Sequence, residues 1–135
     1  MAQDLSLELR QAVVKFIRDD AVIMSYLDQF YGERQPADAA WPFGRYGFDT
    51  ADRFQASGID GNSVDVTLHV FAKGDSSDVV KPVMKAIVKS LDDAQLDMDE
   101  GGVVDISFVQ SQTLPDGPDG FHGIVYFTAL IGVVA

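Results

Sequence analysis

The stretch Val64-Asp65-Val66-Thr67-Leu68-His69-Val70-Phe71-Ala72-Lys73 alternates with a period of two, and its reading decides the fold. Val64, Val66, Leu68 and Val70 share one face of a strand, and Asp65, Thr67, His69 and Phe71 share the other. Gly74-Asp75-Ser76-Ser77 then closes the strand and supplies helix N-caps. After it the period changes. Val80, Val83, Met84, Ile87, Val88 and Leu91 recur at helical spacing, which predicts an amphipathic helix over about 77–91. Pro82 falls about one turn in, where its missing N–H costs little. A strand with one apolar face followed by a helix with one apolar stripe implies a sheet covered by helices.

Outward toward the N-terminus, Leu5, Leu9, Ala12, Val13, Phe16 and Ile17 predict a helix over about 4–18. Asp4 lies near its positive end, and Lys15 and Arg18 near its negative end. Asp19-Asp20 can cap a second, short helix carrying Val22, Ile23, Tyr26 and Leu27, with Gly32 as its stop. Pro36 and Pro42 make Gly32 to Pro42 an extended connection. Phe43 to Phe48 reads as a first strand whose glycines permit a bulge. Arg53 to Ile59 reads as a second, and the turn signal Asp60-Gly61-Asn62 predicts a hairpin into Ser63–Lys73.

Toward the C-terminus, Gln95 to Met98 is a candidate short pairing segment before the turn Glu100-Gly101-Gly102. Val104, Ile106 and Phe108 alternate in a strand near 103–113. Leu114-Pro115-Asp116-Gly117-Pro118-Asp119-Gly120 is a dense turn cluster. The last strand, about Phe121 to Val133, is apolar on both faces, the pattern of a central or doubly covered strand. Helices, strands, helix, strands is the order of an α+β domain. The expectation is a mainly antiparallel sheet of about four to six strands with two or three helices packed on one face.

The chain has 135 residues, a length that fits one domain and can bury a sizeable core. No apolar run approaches the ~20 residues that cross a bilayer, and Met1-Ala2-Gln3-Asp4-Leu5 lacks the pattern of a signal peptide. There are no cysteines, which excludes disulfides, thiolate metal sites and a cysteine nucleophile. The expectation is a soluble protein made in a cytoplasm, with no membrane partner.

Charge is divided along the chain. The formal net charge is −11, from 10 Lys and Arg and 21 Asp and Glu. Every Lys and Arg lies at or before Lys89. Beyond it stand only acids: Asp92, Asp93, Asp97, Asp99, Glu100, Asp105, Asp116 and Asp119. Such a field repels nucleic acid, suiting a surface that must not adhere to a polyanion or one that meets a basic partner.

Catalytic motifs are missing. His69 and His122 would have to meet in space to share a metal; as a sequence pattern they are strand-packing residues. No serine occupies a G-x-S-x-G elbow, which disfavours a small hydrolase. Asp97-Met98-Asp99-Glu100-Gly101-Gly102 imitates the start of a calcium loop, but Gly101 stands fifth and Phe108 twelfth, so the bidentate acid is absent. No glycine-rich phosphate loop occurs. The reading is no enzyme, no cofactor and no metal.

The sharper surface pattern is Lys81, Lys85 and Lys89, spaced i, i+4, i+8 beside the apolar stripe of the third helix. These lysines either shield the core edge with their stems or face the acid-only third of a neighbouring copy. The second arrangement uses two different patches, so it is head-to-tail and closes into a ring. Phe121, Tyr126 and the Pro115–Gly120 loop are further contact candidates. Asp92, Asp93, Asp97, Asp99, Glu100, Asp116 and Asp119 are candidates for an acidic lumen or partner face.

The order of these elements resembles a known family. Val66-Thr-Leu-His-Val-Phe, a short turn and the helix Asp78–Leu91 look like the tail-completion, or tail-terminator, proteins of long-tailed, siphovirus-like bacteriophages and related gene-transfer particles. Members commonly continue with an acid-rich "L-x-L-D-G-G" style segment, here Leu96-Asp97-Met98-Asp99-Glu100-Gly101-Gly102-Val103-Val104. A strand, a Pro-Asp-Gly loop and a final strand follow, here Asp105–Thr113, Leu114–Gly120 and His122–Phe127. The resemblance covers most of residues 5–131 and implies one terminator-like domain over 1–135. Its helices would span about 4–30, its strands about 43–73, its third helix about 77–91 and its last strands about 95–133.

The resemblance implies a structural virion protein with no catalytic residues. Such subunits form a hexameric ring on the head-facing end of the tail tube. The ring ends tube polymerisation and joins the tail to the head connector, and DNA passes through its lumen without specific binding. The implied partners are further copies of the chain, the tail tube protein and the head–tail connector protein. The implied location is the virion, at the head–tail interface, after assembly in the bacterial host cytoplasm. An acidic nucleic-acid mimic or adaptor binding a basic partner is the alternative reading of the charge.

Overall fold

The computed structural model describes residues 3–56, 59–96, 98 and 103–134. Helix α1 (Ser6–Arg18) and the single-turn α2 (Ala21–Met24) lead into strand β1 (Gln29–Tyr31). Strands β2 (Phe43–Ala56) and β3 (Ile59–Lys73) follow. A 3₁₀ turn, Ser77–Val79, then precedes α3 (Lys81–Leu91), and β4 (Val103–Asp116) and β5 (Gly120–Val134) end the chain. The five strands form one sheet in the order β1-β2-β3-β5-β4. Three pairings are antiparallel, and only β1 with β2 is parallel. This is the expected α+β architecture.

The core lies on one side of the sheet. Val64, Val66, Leu68 and Val70 of β3, and Val125, Phe127, Ala129 and Ile131 of β5, are all buried. Over them pack Leu9, Val13 and Ile17 of α1, Ile23 of α2, and Val83, Met84, Ile87 and Leu91 of α3. Burying one such side chain contributes roughly 1.5–3 kcal/mol. The stripe residue Val88 is only partly buried, at the margin of the helix interface.

Two side chains tie the helices down. Asp20 caps α2, accepting from the N–H groups of Val22 (2.9 Å) and Ile23 (3.0 Å). It also accepts from the Ser90 hydroxyl, which links α2 to α3 and holds the Asp20 carboxyl below its usual range. Asn62, buried on β3, accepts from Leu5 N–H at 2.8 Å and donates to Gln3 C=O at 3.0 Å. It therefore holds the start of α1 against the sheet.

Several expectations need correction. The helical region does not reach residue 30. It ends at Met24, and Gln29–Tyr31 pairs with Phe43–Arg45 as β1. Three residues are too few to show a period of two, so the sequence hides this strand. Arg18 Nε reinforces it by donating to Phe30 C=O at 2.8 Å. The first and second predicted strands are one strand, β2, interrupted by a bulge between Tyr46 and Asp49. The Tyr46 hydroxyl bridges that bulge by donating to the Asp49 carboxylate at 2.9 Å.

Asp60-Gly61-Asn62 is not the hairpin turn. Pairing extends to Ala56↔Ile59, and Asp60, Gly61 and Asn62 lie inside β3. Gly61 is needed for close approach: a Cβ there would sit 1.7 Å from Ile131 O on β5. No strand forms over 94–96 or at Met98, and the last strands begin at Val103. Asp97 and the turn Glu100-Gly101-Gly102, with the calcium-loop imitation, lie outside the described residues. The Leu114–Gly120 loop is shorter than expected, because Leu114, Pro115 and Asp116 remain paired with β5. Only Gly117, Pro118 and Asp119 turn, with Gly117 at φ 72°.

The Ile87→Ala variant should lose about 2–5 kcal/mol of unfolding free energy, read from the midpoint of urea denaturation. Asn62→Ala should cost about 1–3 kcal/mol, because it orphans the buried Leu5 N–H. Exposed Lys85→Ala in the same assay should change stability by less than about 0.5 kcal/mol.

Candidate functional site

With the helices on one side, the other face of the sheet stays open, and its composition changes along the strands. At one end lies an aromatic cluster. Phe43 stacks on Phe71 (centroids 4.8 Å apart), and Phe71 stacks on His122 (4.2 Å). Trp41 closes edge-on over Phe43 and Phe71, and Lys73 Nζ lies 5.3 Å from the Trp41 ring. The Trp41–Pro42 peptide is cis.

The two histidines meet in this cluster. Residues 53 positions apart come within 2.7 Å, His69 Nδ1 to His122 Nε2, because β3 and β5 pair Phe71 with His122 and His69 with Ile124. The hydrogen bonds assign the neutral tautomers. The Thr67 hydroxyl donates to Phe48 C=O at 3.1 Å, so it accepts from His69 Nε2–H at 3.2 Å. His69 Nδ1 is then bare and accepts from His122 Nε2–H. Gly47 leaves room for this relay, since a Cβ there would lie 2.2 Å from Thr67 Oγ1 and 2.4 Å from His69 Nε2.

Burial, then Arg45 and His122, push His69 down to about 4. Burial also lowers His122; Arg45 adds to that shift and Asp116 opposes it. Among the described residues no group of three or more His, Asp or Glu could hold a metal. The pair is a packed, neutral hydrogen-bonded unit.

Further along the same face the residues become polar and acidic. Register places Thr50, Asp65, Thr128 and Ser107 in one cross-strand row, and Asp52, Ser63, Leu130 and Asp105 in the next. Thr128 donates to Asp65 at 3.0 Å. Neither row holds a Lys or Arg. Asp52 and Asp65 were not among the sequence candidates. Alternation shows that Asp65 faces away from the core, but only the register brings Asp52 and Asp105 alongside it.

The sequence candidates disperse. Lys81, Lys85 and Lys89 are exposed. With Met84, Val88, Ser111, Gln112 and Thr113 they line an open groove of about 580 Å³ between α3 and β4. Phe121 packs against the core on the helix side, whereas Tyr126 lies on the open face and donates to Gln112 at 3.2 Å. Asp92 follows α3 and accepts from Phe108 N–H at 2.8 Å. The adjacent Asp93 has φ 58°, and its N–H donates to Ile106 C=O at 2.8 Å. Asp116 and Asp119 are at the β4–β5 turn, where Asp119 C=O accepts from Gly74 N–H at 2.9 Å.

The two acidic pairs therefore sit toward opposite ends of β4, roughly 25 Å apart at ~3.3 Å per residue. They are not one patch. Asp97, Asp99 and Glu100 lie outside the described residues.

The described residues thus present a packed histidine pair, two acidic rows and a lysine-lined groove. Residues 11–132 match the model of the family described as tail completion protein gp17. The fold is similar to that of a chain in the virion of a native gene transfer agent particle. The TM-score is 0.82 at 18% sequence identity, covering 96% of this chain and 98% of that chain. A comparison with curated proteins finds no match. The class is that of structural tail proteins. The chain belongs to the tail completion protein gp17 family.

The histidine pair has a pH signature. Both folded-state pKa values lie below the unfolded value of ~6.5, so the unfolded chain binds more protons below that pH. The stability this gives is full above pH ~6.5 and is lost as pH falls toward about 4. Thermal unfolding from pH 7 to 4.5 should show a falling Tm. In His69→Gln that fall should be smaller by about 5 °C, the remainder coming from carboxylates.

Proposed function

We propose that the chain forms a ring, hexameric as the family resemblance implies, that caps the head-proximal end of a tail tube. The ring ends tube polymerisation and offers its opposite surface to the head–tail connector. The whole chain acts as one terminator-like domain, located in the virion at the head–tail interface after assembly in the host cytoplasm. The observation that carries this reading is the family match across residues 11–132. The fold shared with a chain of a gene transfer agent virion supports it.

The surface chemistry is compatible with that role. The rows through Asp65, Asp52 and Asp105 suit a lumen through which DNA passes, because they carry acids and no Lys or Arg and so repel phosphates; the cations of this face, Arg45 and Lys73, stand apart in the aromatic cluster. On this reading the lumen wall is this face rather than Asp92, Asp93, Asp116 and Asp119, which are separated by much of β4. The lysines of α3 remain candidates for contacts between subunits. Each exposed ion pair contributes less than about 1 kcal/mol, so they would set register more than affinity.

Native mass measurement of the purified chain, alone and with the tail tube protein, tests the reading. A closed oligomer in either condition is expected, and a hexamer specifically. A monomer in both conditions, with tight binding to a basic protein, would overturn it in favour of the nucleic-acid mimic.

A further inference from the structure

The sheet has two open edges, and they match. β1 covers β2 only along Phe43–Arg45, so on the side away from β3 residues 46–56 carry no neighbouring strand among the described residues. β4 has β5 on one side and no described strand on the other. Each edge is broken once by a bulge, between Tyr46 and Asp49 on β2 and between Phe108 and Gln110 on β4. Both bulges carry exposed apolar side chains: Phe48 is 69% exposed, Val109 57% and Phe108 37%. A monomer gains nothing from bare apolar residues on open strand edges, which are templates for pairing.

The bulges also stand at the same height. Phe48 C=O accepts from Thr67, Thr67 pairs with Tyr126, and Tyr126 pairs with Gln110. One row of the sheet thus ends in Phe48 on one side and in Val109-Gln110 on the other. Two unlike edges with complementary features at equal height satisfy the condition for a closed ring rather than a climbing helix. Direction agrees as well. Three successive antiparallel pairings make β2 and β4 antiparallel. A rotation axis along the strands preserves that relation, so β4 of one copy meets β2 of the next in antiparallel sense.

We propose that neighbouring copies of this chain join by adding β2 residues 46–56 of one copy to the free edge of β4 of the next, with Phe48 packed against Val109 and Phe108. This deepens the ring reading and rests on it. The bulges have a role in the joint. Beyond Arg45 β2 is free to pair, but alongside Phe43–Arg45 the neighbour's β1 stands between β2 and β4. Each edge strand must bend where that wedge begins, and a bulge supplies the bend.

In this joint the wedge would lie beside the next copy's α3–β4 groove, whose Lys81 and Lys85 would complement the exposed Asp28 that precedes β1. With the helices outside, the acid rows face inward. At the bulges four strands per copy, spaced ~4.8 Å, give six copies a barrel about 37 Å across at the backbone, wide enough for a duplex.

The chain has no cysteine, so paired thiols report the joint without background. Phe48→Cys with Val109→Cys places thiols across it, within the Cα separation a disulfide needs. After mild oxidation the double variant should run as a covalent ladder up to the full ring on denaturing gels. Each single variant should stay monomeric there. Val109→Lys, folded by circular dichroism, should fail to assemble.

A ring seen by native mass in which the double variant yields no intermolecular disulfide would overturn the edge pairing and leave the ring standing. So would crosslinking of Phe48→Cys alone, which indicates a two-fold contact. A monomer with and without tail tube protein would overturn both.

Discussion

The pairing of β3 with β5 organises this molecule. Fifteen residues of each strand run in unbroken register from Ile59↔Val134 to Lys73↔Gly120. Because the period is two, that register sends Val64, Val66, Leu68 and Val70 to the same side as Val125, Phe127, Ala129 and Ile131. A slip of one residue would turn one strand's apolar set to the open face. Gly61 records how closely the two strands lie, since no side chain fits between its Cα and Ile131 O. With this ladder in place, the helices have one apolar floor to cover.

Covering one side determines what the other side can do. The open face has no helix to bury it, so it stabilises itself where it is apolar and stays wet where it is polar. At one end Trp41, Phe43, Phe71 and the two imidazoles stack into a small second cluster. Burial keeps those imidazoles neutral. Further along, the cross-strand rows through Asp65 and Asp52 hold hydroxyls and carboxylates. Edges are the second consequence, since an open sheet always has two. A short β1 shields only part of one, and the remaining edges carry apolar residues at their bulges. A tail completion protein that works as a subunit of a ring would use such edges.

Several elements were legible because their signal is local. α3 follows from a stripe repeating over three turns, and α2 from Asp20 standing before an apolar run. β3 and β5 follow from long alternation. What escaped did so for physical reasons. β1 is three residues long, and its strand state comes from pairing with β2. Asp60-Gly61-Asn62 has turn chemistry, yet Gly61 serves close packing and Asn62 serves the start of α1. Tertiary contacts overrode local preference there.

By itself the sequence determined the fold class, the helix-covered side of the sheet, the family resemblance and the division of charge along the chain. These depend on periodicity, composition and motif order, all readable in one dimension. Only the tertiary structure decided which charges and rings share a surface. Asp92, Asp93, Asp116 and Asp119 are close in sequence but are separated along β4. Asp52, Asp65 and Asp105 are distant in sequence but lie on one face. His69 and His122 come into hydrogen-bond contact because two strands pair in one register. Phe48 and Val109 end the same row because the sheet has one strand order. Each of these neighbours is set by strand register, a non-local quantity that residue spacing cannot supply.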